Sequence, residues 1–527
     1  MSEWWKRGIV YQIYPLSFQD SNGDGKGDLQ GIRGRLDYLQ WLGVDAVWIS
    51  PIYPSPMKDC GYDVADYRGI APEFGTLSDF DALFADVRAR GMKLILDFVP
   101  NHSSDQHPWF RESRDSRRSA KRDWYIWRDP AKDGGPPNNW LSNFAGSAWT
   151  LDKRTGQYYY HAFLKEQPDL NWRNPAVRTA MYDVLRFWME RGVDGFRVDV
   201  LWHLMKDAQM RDNPPNPGYR PGDPAVRRVL DVYSADQPEI FEVLAEMRGV
   251  VDAYPGRILI GEIYLPLERL VAYYGVGGNG VHLPFNFHLI LAPWSAREIA
   301  KVIAEYERLV PPGEWPNWVI GNHDQKRIAT RVGAAQARVA AMLLLTLRGT
   351  PTLYYGDELG MEDVRIPPER ARDNWTRTEP GQVGRDPQRT PMQWDASVNA
   401  GFTRSEPWLP LNKNFERVCV ESQKRDAHSM LSLYRALIDL RRSSAALVGG
   451  AKRLVEAPDE VLAYERAEGR ERLMVALNFC REPRVLRGVA GRLLLSTHLD
   501  REGERFDGEL RLRADEGVIA DLAARAS

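Results

Sequence analysis

A chain of 527 residues exceeds one ordinary domain, yet a barrel with insertions absorbs most of that length around a single core, so two or three domains are expected. A formal net charge of -2 leaves no electrostatic footprint for nucleic acid or an anionic membrane, and neutral ligands fit better. Cys60, Cys419 and Cys480 are too few and too scattered for a disulfide framework, the opening Met1-Ser2-Glu3-Trp4-Trp5-Lys6-Arg7 lacks the apolar stretch of a signal peptide, and no apolar span reaches transmembrane length; a reducing cytoplasm is the expectation.

Eight short β-branched or aromatic runs recur along the chain, at 9–15, 44–50, 93–99, 193–199, 257–262, 281–287, 316–321 and 351–355. Segments with apolar residues at helical spacing separate most of them: 33–42, 79–91, 175–191, 239–253, 297–309 and 334–348. The alternation predicts an α/β fold of (β/α)8 barrel type. In the first loop, Asp20, Asn22, Asp24, Lys26 and Asp28 alternate with glycines that permit a tight turn, as in loops that surround calcium. Position twelve is Gly31 rather than a bidentate glutamate, so a fixed structural Ca2+ site is expected rather than an EF-hand sensor; magnesium and an ordinary Asn/Gly/Asp turn are the alternatives. Residues 103–174 are rich in Pro, Gly, Trp and charge, with a strand candidate at 156–163, and read as an insertion over a barrel mouth. A second polar insertion spans about 361–428, a helix-like run covers 429–442, and about 446–527 reads as an antiparallel β domain.

Four apolar runs end in polar clusters: GFRVDV (195–200), DFVPNHSS (97–104), GEIY (261–264) and GNHDQ (321–325), with YQIYP (11–15) before them. Polar strand ends in series suggest one shared barrel mouth. Arg197 and Asp199 lie two residues apart on a strand and point the same way, so the guanidinium favours an ionised, nucleophilic carboxylate at Asp199; a structural ion pair is the alternative.

At these residues the chain resembles glycoside hydrolase family 13, the α-amylase family, and within it the α-glucosidase and oligo-1,6-glucosidase branch; GRDPQRTPMQW (384–394) resembles a further motif of that branch. The resemblance implies a TIM barrel with an inserted domain after strand 3 and a C-terminal antiparallel β-sandwich: barrel over 1–102 and 175–445, insertion over 103–174, β domain over 446–527. It implies a retaining, exo-acting α-glucosidase on short oligosaccharides or disaccharides, with Asp199 as nucleophile, Glu262 as acid/base about 5 to 5.5 Å away, and Asp324 gripping sugar hydroxyls. His102 and His323 would donate to hydroxyls of the same sugar. Asp59 and Tyr62 would bind and stack the terminal glucose, with Arg389 closing the pocket and Arg385 as the other candidate. Phe144 and Phe163 become wall residues, and Val200, after the nucleophile, resembles enzymes that accept α-1,6 linkages. No catalytic metal is implied. Eighteen tryptophans suit stacking on sugars but serve equally as core. A transglucosylase or isomerase of the trehalose synthase or sucrose isomerase type is the alternative, and a non-catalytic transporter subunit with a similar barrel is a remote one.

Overall fold

The computed structural model describes residues 3–375 and 384–522; residues 376–383 of the second insertion lie outside the described part. In chain order, β1 (Val10–Ile13), β2 (Ala46–Ile49) and β3 (Lys93–Phe98) are followed by the inserted β4 (Trp127–Arg128), β5 (Trp149–Asp152) and β6 (Gln157–Tyr160). Then come β7 (Gly195–Val198), β8 (Ile258–Gly261), β9 (Leu283–Pro284), β10 (Asn317–Val319) and β11 (Thr350–Tyr354). All eight apolar runs became strands of one parallel sheet in the order β10-β11-β1-β2-β3-β7-β8-β9. They are short and buried on both faces, which is why their sequences read as continuous apolar runs rather than alternation. Val10, Ala46, Trp48, Ile95, Ile258, Ile260, Leu283 and Val319 fill the barrel, while their neighbours Tyr11, Val47, Leu94, Leu96, Phe196 and Leu259 pack in the main core outside it. The barrel is nearly closed: no ladder joins β9 to β10, and β9 is two residues long and ends on Pro284, which has no N–H to donate.

The helices start where local chemistry satisfies their first N–H groups. Thr76 and Asp79 form a capping box for Leu77–Ala89, Asn174 caps Pro175–Glu190, and Ser295 caps Ala296–Leu309. The helix expected over 33–42 begins earlier and is split into Leu29–Gly34 and Leu36–Leu42, because Asp28 accepts the Gly31 N–H and sets an N-terminus there. No helix of the described residues is long and apolar enough to cross a membrane.

The insertion forms a three-stranded antiparallel sheet, β4-β6-β5, around Ile126, Trp140, Ala148, Trp149 and Tyr160. A buried Lys206–Asp169 ion pair of 2.5 Å ties it to the loop after β7, and Asn101 Oδ1 accepts from Lys206 at 2.8 Å. At the C-terminal end, β12 (Ala451–Val455), β13 (Val461–Glu468), β14 (Glu471–Asn478), β15 (Arg484–Ser496), β16 (Arg505–Leu512) and β17 (Gly517–Asp521) make one antiparallel sheet, ordered β12-β13-β14-β17-β15-β16. One face, with Leu462, Tyr464, Val475 and Ile519, joins the barrel core; the other gathers Val461, Met474, Leu486, Leu493 and Leu512 into a core of its own. The C-terminal antiparallel β domain is thus present as expected, its six strands laddered in one sheet with apolar residues on both faces.

Candidate active site

Sheet register builds the centre of the barrel mouth. The β3–β7 ladder sets Asp97 opposite Arg197, and the β7–β8 ladder sets Arg197 opposite Ile260, two residues before Glu262. The ladder continues past the strand ends, with Asp199 N–H donating to Phe98 O and Glu262 N–H to Val198 O. Val200 then turns sharply into the left-handed region at φ 35° and ψ 46°, a strained conformation for a β-branched residue that costs about 1–3 kcal/mol. That turn aims the Val200 N–H at Glu262 Oε2, 2.9 Å away.

The arginine does more than the sequence suggested. Arg197 Nη1 donates to Asp97 Oδ1 at 2.8 Å and to Asp199 Oδ1 at 2.5 Å, while Nη2 pairs with Glu262 Oε2 at 2.6 Å. The expected Arg197–Asp199 ion pair is present, and the same buried cation also serves two further buried carboxyls. Burial pushes Asp199 well above the ordinary carboxylate range, with Glu262 and Asp97 adding to the rise and Arg197 opposing it. Burial also raises Glu262 against Arg197, and raises Asp97 to about 6. Burial thus favours the protonated form of these carboxyls while Arg197 favours the ionised form, the opposing influences from which an acid/nucleophile pair is set.

A second cluster forms beside it. Asp324 Oδ1 accepts from Arg389 Nη2 at 2.8 Å and faces Arg385 Nη1 at 3.4 Å, and Asp324 Oδ2 lies 3.2 Å from His323 Nε2. Burial alone would raise Asp324, but the guanidinium charges of Arg389, Arg385 and Arg197 oppose it and hold the carboxyl below its usual range. Tyr62 stacks on His323 with ring centroids 5.3 Å apart and planes 2° from parallel, and its hydroxyl reaches Asp97 Oδ2 at 3.1 Å. Asp59 pairs with Arg385 Nη2 at 2.6 Å rather than with Arg389. Arg385 retains 8 % exposure, whereas Arg389 has none and donates through Nε to the His323 carbonyl and through Nη1 toward the Tyr14 hydroxyl.

The insertion brings two phenylalanines next to these clusters. Phe163 packs 5.2 Å from His102 and 5.5 Å from His203, and Phe144 lies under the Arg385 guanidinium at 5.1 Å and beside Trp375 at 5.5 Å. Burial lowers His102 to about 4, so it is neutral; its Nε2 lies 3.2 Å from Tyr62 O and 3.1 Å from Gln167 Nε2. Sequence reading missed several partners. Gln167 donates to Asp59 at 3.0 Å, and Asp373 binds Arg385 through both oxygens, yet both sit in irregular insertions where no periodicity marks a buried polar residue. Tyr264, two residues after Glu262, stacks flat on Phe287 at 4.1 Å and accepts from Asn322 at 3.3 Å; the GEIY cluster carried that signal.

The first loop is held by its own side chains. Asp20 Oδ1 accepts from Asn22 and Gly23 N–H, Asp20 Oδ2 from Gly25 N–H, Asn22 Oδ1 from Asp24 N–H, and Asp24 Oδ1 from Lys26 N–H. Among the described residues no three His, Cys, Asp or Glu side chains group as metal ligands. A cation there would draw on Asn22 and backbone carbonyls beside Asp20 and Asp24, a hard-oxygen set that suits Ca2+ in kind.

Comparison with known proteins agrees with this geometry. The family model for the α-amylase catalytic domain matches residues 12–450. A probable α-glucosidase of Rhizobium meliloti (strain 1021) is 41% identical, covering 91% of this chain and 90% of the relative. An oligo-1,6-glucosidase of Parageobacillus thermoglucosidasius is 40% identical over 98% of both. Among solved structures, the α-glucosyl transfer enzyme XgtA superposes with a TM-score of 0.94 at 41% identity, over 99% of this chain and 100% of that one. The trehalulose synthase of Pseudomonas mesoacidophila MX-45 does so with a TM-score of 0.91 at 35% identity, over 99% and 100%. The chain belongs to the α-amylase family of glycoside hydrolases.

Proposed function

We propose that this chain is a retaining, exo-acting α-glucosidase that releases α-glucose from the non-reducing ends of short α-1,4 and α-1,6 gluco-oligosaccharides. The observation that carries the reading is the meeting of Asp97, Asp199 and Glu262 on Arg197 at the barrel mouth, together with the Asp59–Arg385 ion pair that would seal the far end of the sugar site. Asp199 attacks the anomeric carbon, Glu262 gives its proton to the leaving oxygen, and a water deprotonated by the same Glu262 then releases the sugar from Asp199. Asp324 stays ionised through this cycle and grips hydroxyls more tightly as the ring flattens toward an oxocarbenium ion, which lowers the barrier rather than KM. A sealed end admits a chain terminus and excludes a continuing polymer. Early-time NMR of the product anomer tests this: α-glucose is expected first, and initial β-glucose or long maltooligosaccharides from starch would overturn it.

Transfer to a sugar in place of water is the second reading, favoured by the flat Tyr264–Phe287 stack close to Glu262, an apolar face on which an acceptor ring can rest. Product chromatography from maltose, isomaltose, sucrose and trehalose separates the two. The same assay tests Val200, whose side chain follows the nucleophile: Val200→Thr is expected to lower the isomaltose-to-maltose ratio of kcat/KM by about tenfold or somewhat more, the scale of a small shape change in a pocket. An unchanged ratio sinks the linkage role.

Structural Ca2+ at the Asp20–Asp28 loop belongs to the same proposal, supported by the all-oxygen donor set. Calcium at a hundredfold excess over its Kd should stabilise by about 2.7 kcal/mol, read as a rise in Tm after chelation and return. No rise removes an exchangeable calcium site. Three unpaired cysteines fit the cytoplasmic setting proposed for the enzyme.

A further inference from the structure

The His323 ring sits among aromatic rings: Tyr62 stacks on it at 5.3 Å, Tyr14 lies near-parallel at 5.9 Å and Trp48 meets it edge-on at 6.4 Å, so its polar contacts are made through its two nitrogens. Nε2 faces the Asp324 carboxylate at 3.2 Å, and Nδ1 faces the side-chain nitrogen of Gln12 at 2.8 Å. Gln12 lies on β1, is fully buried, and takes no part in the chemistry proposed above.

Two orientations of the Gln12 amide have to be weighed. With its NH2 toward the ring, Gln12 donates to Nδ1 and to Ser50 Oγ at 3.3 Å, and only the acceptor Oε1 is left without a partner. With the amide reversed, Oε1 would accept an Nδ1–H and both amide N–H groups would be stranded in a dry core, a larger penalty. Reversal would also turn the lone pair of a neutral Nε2 against the Asp324 carboxylate. Burial holds the imidazole neutral, so it cannot escape this conflict by taking a second proton.

We propose that Gln12 is a positioning residue whose amide N–H locks neutral His323 in its Nε2–H tautomer, aimed at Asp324 and at the sugar hydroxyl that Asp324 grips. The ring then donates where the sugar needs a donor, and Asp324 is relieved of none of its acceptor capacity to an imidazolium. The activity readout rests on the α-glucosidase reading; the tautomer itself does not.

The test is long-range 1H–15N NMR of 15N-histidine-labelled enzyme, with His323→Asn identifying the His323 signals. Wild type is expected to show a neutral ring protonated at Nε2. Measured at a pH where the introduced carboxyl is ionised, Gln12→Glu keeps the length but offers only acceptors, and should place a proton on Nδ1 and lower kcat by about tenfold to hundredfold while KM moves far less. Gln12→Met, which keeps the bulk without a donor, should lose the single-tautomer pattern and lower kcat by a smaller factor. A wild-type ring protonated at Nδ1 overturns the proposal, as does a Gln12→Glu ring that stays as in wild type. Should Gln12→Glu fail to fold, Gln12→Met with wild-type signals and kcat overturns it. An enzyme that turns over no α-glucoside refutes the functional reading, while the NMR pattern still decides the tautomer.

Discussion

The strand-end cluster and the pocket end hold buried charge by different means. In the first, Arg197 alone faces Asp97, Asp199 and Glu262; in the second, Arg385 and Arg389 together face Asp59, Asp324 and Asp373. The poorer cation supply leaves Asp199 and Glu262 raised by burial, whereas the richer one holds Asp324, the most exposed of these carboxyls, and Asp373 well below the carboxylate range, although burial still raises Asp59 against Arg385. One region keeps a proton available for transfer. The other keeps fixed negative charge at Asp324 and Asp373, and in the proposed mechanism the two roles would divide along this ratio of guanidinium to carboxyl groups.

Substitution at the first cluster should break the comparison most visibly. Asp199→Asn or Glu262→Gln is expected to lower turnover by about ten-thousandfold or more with a near-normal thermal melt, since each removes one half of the acid/nucleophile pair. Turnover close to wild type in either variant would refute the assignment. At the pocket end, Asp59→Asn or Arg385→Lys should leave the proton-transfer pair intact and weaken maltose binding by about tenfold to hundredfold, the worth of a buried charge-assisted hydrogen bond. A fall in kcat as deep as that of Asp199→Asn would show that the two regions are not separable.

Thermal melts against pH give the smallest and sharpest contrast. Asp97, raised to about 6, binds its proton more tightly folded than unfolded; the stability it contributes is complete below about pH 4 and is lost as pH rises through about 6. Asp324 is depressed, so its contribution is present above about pH 4 and is lost as pH falls. The Tm deficit of Asp97→Asn relative to wild type should therefore shrink with rising pH, and that of Asp324→Asn should shrink with falling pH. Parallel profiles would dissolve the distinction between the clusters.

The same contrast explains what was legible in the sequence. The eight strands and most helices announce themselves through apolar runs and capping residues, and Arg197, Asp199 and Glu262 sit at strand ends whose ladder register fixes their meeting. Asp97 was visible too, as the first letter of a strand-end cluster. What local pattern does not carry is which loops meet. Asp59 finds Arg385 rather than Arg389, and Gln167 and Asp373 complete the site from insertions with no periodicity, because such pairings are decided by how separate loops pack over the mouth. Nor does pattern reveal charge balance: the spacing of Arg197 and Asp199 shows one ion pair, and only the fold reveals two further carboxyls on the same guanidinium.

The Asp59–Arg385 pair joins residues 326 positions apart, and this separation orders events during synthesis. Asp97, Asp199 and Glu262, and the whole of β11, are translated before Arg385 is made. The residues of the barrel strands and of the Arg197 cluster therefore precede in synthesis the arginine that pairs with Asp59. In the proposed sugar site, the far end is thus the last part whose residues become available, set by elongation through the second insertion.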